Sequence, residues 1–171
     1  RPHILLEFTP ESPFLPPEVC HTTSLLGLAV SEELHSVSFP CLQVEETVAE
    51  KSVAFLRRSR SGASQSAQSR DRRLVRHVYD IGCIGTNGVE YSALEAAFAH
   101  AMGRDSTKYA TQDPEFGENP RMELARAADN LDTPALEADY ESFVESLVAG
   151  PALGFDQSFQ QFLSLIRKLL R

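Results

Sequence analysis

Lys51 stands three residues after Val48 and four before Phe55. On a helix those three positions share a face, so the ammonium leaves from the apolar stripe and not from the solvent side. An ammonium facing a core or cleft needs an anion, or it gives up its proton. The phosphates of a nucleotide meet that need. So does a carboxylate of the protein, and a third solution is a side chain that snorkels past the core into water. Asp80 poses the same question. Arg73, Arg76, His77 and Asp80 form a polar stripe on a second helix. The i,i+4 spacing of Arg76 and Asp80 allows a local ion pair of about 0.2–0.5 kcal/mol. The other reading is a cleft carboxylate that sets the proton state of a neighbouring lysine or of a substrate hydroxyl. Glu7 closes the apolar run Ile4-Leu5-Leu6, either as an edge group facing water or as a further acid beside a metal site.

These side chains depend on the elements that carry them. Val44, Val48, Phe55 and Leu56 recur at helical spacing. Glu45 and Glu46 fall in the first turn and Arg57 and Arg58 in the last, which complements the helix dipole. Residues 61–69 are small, polar and aperiodic, and read as a loop. A second helix is expected over about 71–84, with Leu74, Val78 and Ile81 as its stripe and Gly82, Gly85 and Gly88 ending it. An Ala-rich helix follows at about 91–102, then an irregular polar stretch over 104–120 closed by Pro120. Helices at about 121–130, 134–148 and 157–170 complete the chain, with Thr133-Pro134 a start and Gly150-Pro151 a stop. The last helix places Phe159, Phe162, Leu163, Ile166 and Leu170 on one face.

Upstream, residues 2–8 read as a buried strand. Pro10, Pro13, Pro16 and Pro17 make a connector that is neither helix nor central strand. Short apolar runs cover 24–30 and 36–44, the second extended, with Pro40 marking an edge. The fold class is therefore α+β, mostly α: a mixed lobe over 1–44 and a helical lobe over 45–171.

The net charge of −8 argues against nucleic acid as a partner, but its distribution argues the other way. Lys51, Arg57, Arg58, Arg60, Arg70, Arg72, Arg73 and Arg76 face only Asp71 within their own segment, about +7 locally, which leaves about −15 elsewhere. A solvated loop with charge-paired helix ends explains the same run. Cys20, Cys41 and Cys83 lack CxxC spacing and read as reduced, mostly buried thiols. No apolar run approaches the ~20 residues that span a bilayer. Arg1-Pro2-His3 leads straight into strand-like residues, as in the middle of a longer chain.

Glu45-Glu46-Thr47-Val48-Ala49-Glu50-Lys51 resembles the EE-x-x-AEK motif of the AbiEii toxin family of nucleotidyltransferases. Arg76-His77-Val78-Tyr79-Asp80-Ile81 resembles that family's R-H-x-YD-L motif. Leu136-Glu137-Ala138-Asp139-Tyr140, followed by Phe155-Asp156-Gln157-Ser158-Phe159, resembles its DY…M…G-x-x-x-SF ending. The three motifs occur in order, and the resemblance covers about residues 1 to 170.

The resemblance implies a polymerase-β-like core, of which this chain holds a remnant of the sheet, joined to a helical lobe. It implies a toxin of a toxin–antitoxin or phage-defence system that transfers a nucleotide from an NTP to an acceptor such as tRNA. The family's first motif, Gly-Ser followed by Asp-x-Asp, holds Mg²⁺ and does not occur in these residues. Its second, K-x-x-x-E, would be His3 to Glu7, with histidine replacing lysine. The third maps to Glu50 and Lys51 and the fourth to Asp80. By this resemblance Lys51 clamps the triphosphate beside Glu50, Asp80 supports the lysine or the acceptor hydroxyl, and Glu7 is a further catalytic acid. Arg57, Arg58, Arg72, Arg73 and Arg76 would meet RNA phosphates. Mg²⁺ and NTP belong to the complete enzyme, and this chain alone is expected to bind the metal poorly. A cognate antitoxin is a further partner that the same resemblance implies, while no membrane and a cytoplasmic setting are expected from the short apolar runs and the reduced thiols. Whether the chain is itself an enzyme stays open between a catalytic piece and a non-catalytic homologue that binds a partner or RNA. A third possibility is a helical interaction domain with accidental motif similarity, which requires Lys51 paired with a protein carboxylate and Lys51 and Asp80 on unrelated surfaces. The catalytic reading requires the two groups to converge on a pocket able to receive a triphosphate.

Overall fold

The computed structural model describes residues 11–23, 36–63, 71–85 and 88–171. The chain divides into two units, 1–43 and 44–171. In the first, β1 (Glu18–Thr22) pairs antiparallel with β2 (Val37–Cys41), Glu18 facing Cys41 and Thr22 facing Val37. Pro40 lies opposite Val19, and a two-stranded ribbon has only edges, so the missing N–H is tolerated. The expected strand over 2–8, with His3 and Glu7, and the apolar run over 24–30 lie outside the described residues. The three cysteines are free and half-buried, not buried. A hydrogen bond from the Cys20 thiol pushes the Cys41 thiol above its ordinary pKa.

The second unit is helical. α1 (Val44–Ala63) is its central element: Val48, Ala49, Val53, Phe55 and Leu56 are fully buried. It packs against three later helices, so its apolar surface is wider than one stripe. The helix continues past Arg58 to Ala63, where a loop from 61 was expected. Ser59 donates back to the Phe55 carbonyl at 2.8 Å, and Arg60 is held by acids of other helices.

A 3₁₀ turn, Arg72–Leu74, leads into α2 (Val75–Gly85), and the Asp71 carboxylate caps the turn by accepting from the Arg73 N–H at 3.0 Å. Leu74, Val78 and Ile81 are buried as expected. Gly82 does not end the helix. It is the point of closest approach to the last helix: a Cβ there would lie 2.7 Å from Ser158 Oγ.

α3 runs from Tyr91 to Tyr109, a further two turns beyond its expected end. The polar residues that suggested a loop point inward to ion pairs, with Asp105 buried against Arg57 and Arg104. The rest of the supposedly irregular stretch contains α4 (Pro114–Glu118), which buries Phe116 and is capped by Asp113 through the Phe116 N–H at 3.1 Å. α5 (Pro120–Asp129), α6 (Thr133–Leu147) and α7 (Phe155–Leu169) follow. Asp132 caps α6, and Gly150, at φ 86°, turns the chain in the left-handed region where glycine is at no disadvantage. α7 buries Phe155, Phe159, Phe162, Ile166 and Leu169, while Leu163 and Leu170 are half-exposed. Phe162 meets Phe55 of α1 edge-on at 4.8 Å between ring centres. Among the described residues no helix is long and apolar enough to cross a membrane.

Candidate functional site

The apolar faces of α1 and α2 bring the lysine and the aspartate together. Lys51 Nζ donates to Asp80 Oδ2 at 2.6 Å. The two side chains are 27% and 36% exposed, so the pair sits at the edge of the core, reachable by solvent. They do not lie on unrelated surfaces, as accidental similarity required. Asp80 bonds across to α1, and the local pair with Arg76 does not form; Arg76 is exposed and has no carboxylate partner among the described residues. A half-exposed ion pair contributes about 0–1 kcal/mol to stability, so stability alone does not account for the placement.

His77 is buried beside this pair, and its Nδ1 has no hydrogen-bond partner among the described residues. Burial lowers its pKa to about 4, helped by the positive charges of Lys51, Arg76 and Arg58 and opposed by Asp80. The imidazole is therefore neutral at pH 7. Glu50, one residue before Lys51, accepts from Arg104 Nη1 of α3 at 2.6 Å. Burial works against the charge on Arg104, but Glu50 and Asp105 outweigh it and hold the pKa above its ordinary value. Glu50 is thus committed to a second helix and not to the amine beside it.

The expected phosphate-binding arginines separate by helix face. Arg57 donates from Nε to Asp105 at 3.3 Å and lies 3.6 Å over the Tyr109 ring, an internal arrangement. Arg58 pairs with Asp71. Its pKa is lowered by burial first and then by Arg57 and Arg76. Arg72 is 80% exposed and reaches Asp139 at 3.9 Å. Arg73, like Arg76, is exposed and makes no ion pair among the described residues. Arg60, on the same side of α1 as Arg57, is held by Asp113 and Glu123 at 2.6 Å each.

Among the described residues no group of three or more His, Cys, Asp or Glu side chains could hold a metal ion. Asp80, the acid at the site, is engaged by Lys51. Glu7 lies outside the described residues.

The family model for the nucleotidyl transferase AbiEii toxin of type IV toxin–antitoxin systems matches residues 1–164. The chain belongs to the AbiEii family. No curated protein and no solved structure gives a match.

Membership gives the motifs a structural meaning. The AEK and YD motifs of this AbiEii chain meet in one ion pair, Lys51 with Asp80. The tail motifs meet in another contact: the Tyr140 hydroxyl bonds Ser158 Oγ at 2.7 Å and donates to the Leu153 carbonyl at 2.9 Å. Ser158 is fully buried against Gly82, directly after the YD turn of α2. The tail therefore braces the helix that presents Asp80. Sequence reasoning passed over His77 as part of a polar stripe. Its signal was the spacing to Leu74 and Ile81, which puts it on the buried side of α2.

Proposed function

We propose that this chain carries the nucleotide-handling part of a type IV toxin nucleotidyltransferase, in which Lys51 binds the triphosphate of an incoming NTP and Asp80 positions that lysine. The observation that carries the reading is the 2.6 Å contact between the two groups on adjacent helices at a half-exposed position. An ammonium has three N–H donors. Asp80 takes one and fixes the amine in place, and two donors remain for phosphate oxygens. The neutral His77 beside it adds no competing positive charge at pH 7. Arg72, Arg73 and Arg76 form the adjoining cationic rim, suited to the phosphates of an acceptor RNA such as tRNA. The magnesium ions that such a transfer uses would neutralise charge developing on the phosphates. The residues described here contribute binding and orientation.

The test is Lys51→Ala in the longest natural form of the protein, read as incorporation of labelled NTP into tRNA. A loss of about 10²-fold or more is expected, as for removal of a transition-state contact in an electrostatic site. Unchanged incorporation would remove Lys51 from the mechanism. A second reading, a non-catalytic homologue that binds RNA or its antitoxin, is favoured by His3 standing where the family's second motif has lysine. It predicts RNA retention on filters without incorporation, insensitive to Lys51→Ala.

A further inference from the structure

Every residue of β1 and β2 is exposed except two, Cys20 and Cys41, which are half-buried. The strand register explains why these two shield each other. Glu18 stands opposite Cys41, and Cys20 stands opposite Phe39. Opposed residues of an antiparallel pair share a face, and so do residues two apart on one strand. Cys20 and Cys41 are therefore diagonal neighbours on one face, and a hydrogen bond joins their thiols. His21 and Ser38 oppose each other on the other face and bond at 2.8 Å, which pins this register. The third cysteine, Cys83, belongs to the helical unit, where it hydrogen-bonds with Tyr79.

We propose that Cys20 and Cys41 are a redox modification site, which a small-molecule disulfide converts into a reversible bond across the ribbon. One cysteine, as its thiolate, attacks the small disulfide. That S–S bond breaks, a mixed disulfide forms and one small thiolate leaves. The second cysteine thiolate then attacks the protein sulfur of the mixed disulfide, the Cys20–Cys41 bond forms and the second small thiolate leaves. The two cysteine protons end on the two small thiols, and two electrons pass from the cysteines to the small disulfide. Diagonal neighbours have Cα atoms about 7–8 Å apart, against about 4.4–6.8 Å in a disulfide, so closure must draw the strands together. A ribbon of two five-residue strands is soft enough to allow that. The resulting bond is strained and partly exposed, which makes it labile to thiols and not a permanent staple. Leu42 and Gln43 alone separate Cys41 from α1, so the bond would fasten β1 to the segment that leads into the helix of Lys51. Neither Lys51 nor Asp80 takes part, and the proposal stands independently of the nucleotidyltransferase reading.

The test is titration of the full chain with oxidised glutathione, followed by acid quenching, blocking of free thiols and mass spectrometry. A loss of about 2 Da is expected, reversed by excess reduced glutathione. Cleavage after glutamate cuts between the two cysteines at Glu32 and Glu33, so the bond should appear as one cross-linked peptide pair containing Cys20 and Cys41. Cys20→Ser should leave Cys41 as a lasting adduct of about 305 Da, since no second thiol resolves it. In urea the preference for this pair over pairs with Cys83 should disappear. Glutathione adducts persisting on both Cys20 and Cys41 of the parent chain would overturn the proposal. So would cross-links to Cys83 as frequent in the folded chain as in urea.

Discussion

Arg57 and Arg60 leave α1 toward α3, α4 and α5, whereas Lys51 and Arg58 leave the same helix toward α2. On the first side the guanidinium groups are 15% and 14% exposed and are met by Asp105, Asp113, Glu115 and Glu123. On the second side the cations are 27% and 39% exposed, each with a single acid, Asp80 or Asp71. Arg73 and Arg76 stand nearby with none among the described residues. One linear run of positive charge thus does two jobs. Where acids from distant segments converge on it, the charge is neutralised and the helices are held in register. Where they do not, positive potential remains for an anion to use. Position around the helix, not position along the chain, decides which.

The contrast is sharpest at Arg60. Arg60→Ala would leave Glu123, 2% exposed, with Arg126 as its remaining partner. Removing one member of a buried pair costs about 3–5 kcal/mol, and thermal denaturation should show a loss near the lower figure. A change below about 1 kcal/mol would mean the network is no more structural than the α2 side. Next is Gly82→Ala. A methyl pressed into Ser158 should cost about 1–3 kcal/mol by overpacking, measured in urea, and should loosen the support of Asp80.

His77 gives a pH signature confined to the α2 side. Its folded pKa, about 4, lies below the ordinary 6.5, so the unfolded chain takes up a proton that the folded chain refuses. Stability should be full above pH 6.5 and fall between 6.5 and about 4, by roughly 1–2 kcal/mol after allowance for solvent screening. His77→Gln should flatten that part of the profile, and an unaltered slope would assign it elsewhere. The smallest stability effect belongs to the double variant Arg73→Ala with Arg76→Ala, within about 0.5 kcal/mol of the parent. The same variant should reduce the salt slope of RNA binding by up to about 2. A loss of stability without a change in slope would place these arginines with Arg60.

Periodicity in the sequence foretold most helices and the inward-facing position of Lys51, because apolar positions every three or four residues fix which face turns inward, whereas the meeting of Lys51 with Asp80 was implied only by the family resemblance. The second half of α3 and all of α4 were misread for a physical reason. Arg104, Asp105 and Asp113 resemble loop residues until their partners, Glu50, Arg57 and Arg60, arrive from a helix about 50 residues away. Gly82 was taken as a terminator because a glycine's need for close approach depends on a neighbour, Ser158, that local sequence does not announce. β1 was missed because four of its five residues are exposed and its apolar content is slight. The i,i+4 spacing offered an Arg76–Asp80 pair as one of two readings of Asp80, and the contact from Lys51 on the neighbouring helix, which local spacing does not announce, is the one that forms.

Asp71 has a consequence for how the molecule tolerates change. Its carboxylate receives the Arg73 N–H and also pairs with Arg58, so it clasps the end of one long helix to the beginning of the next. Asp71→Ala would therefore release both ends together, so the molecule tolerates change at this position less well than its partly exposed setting suggests.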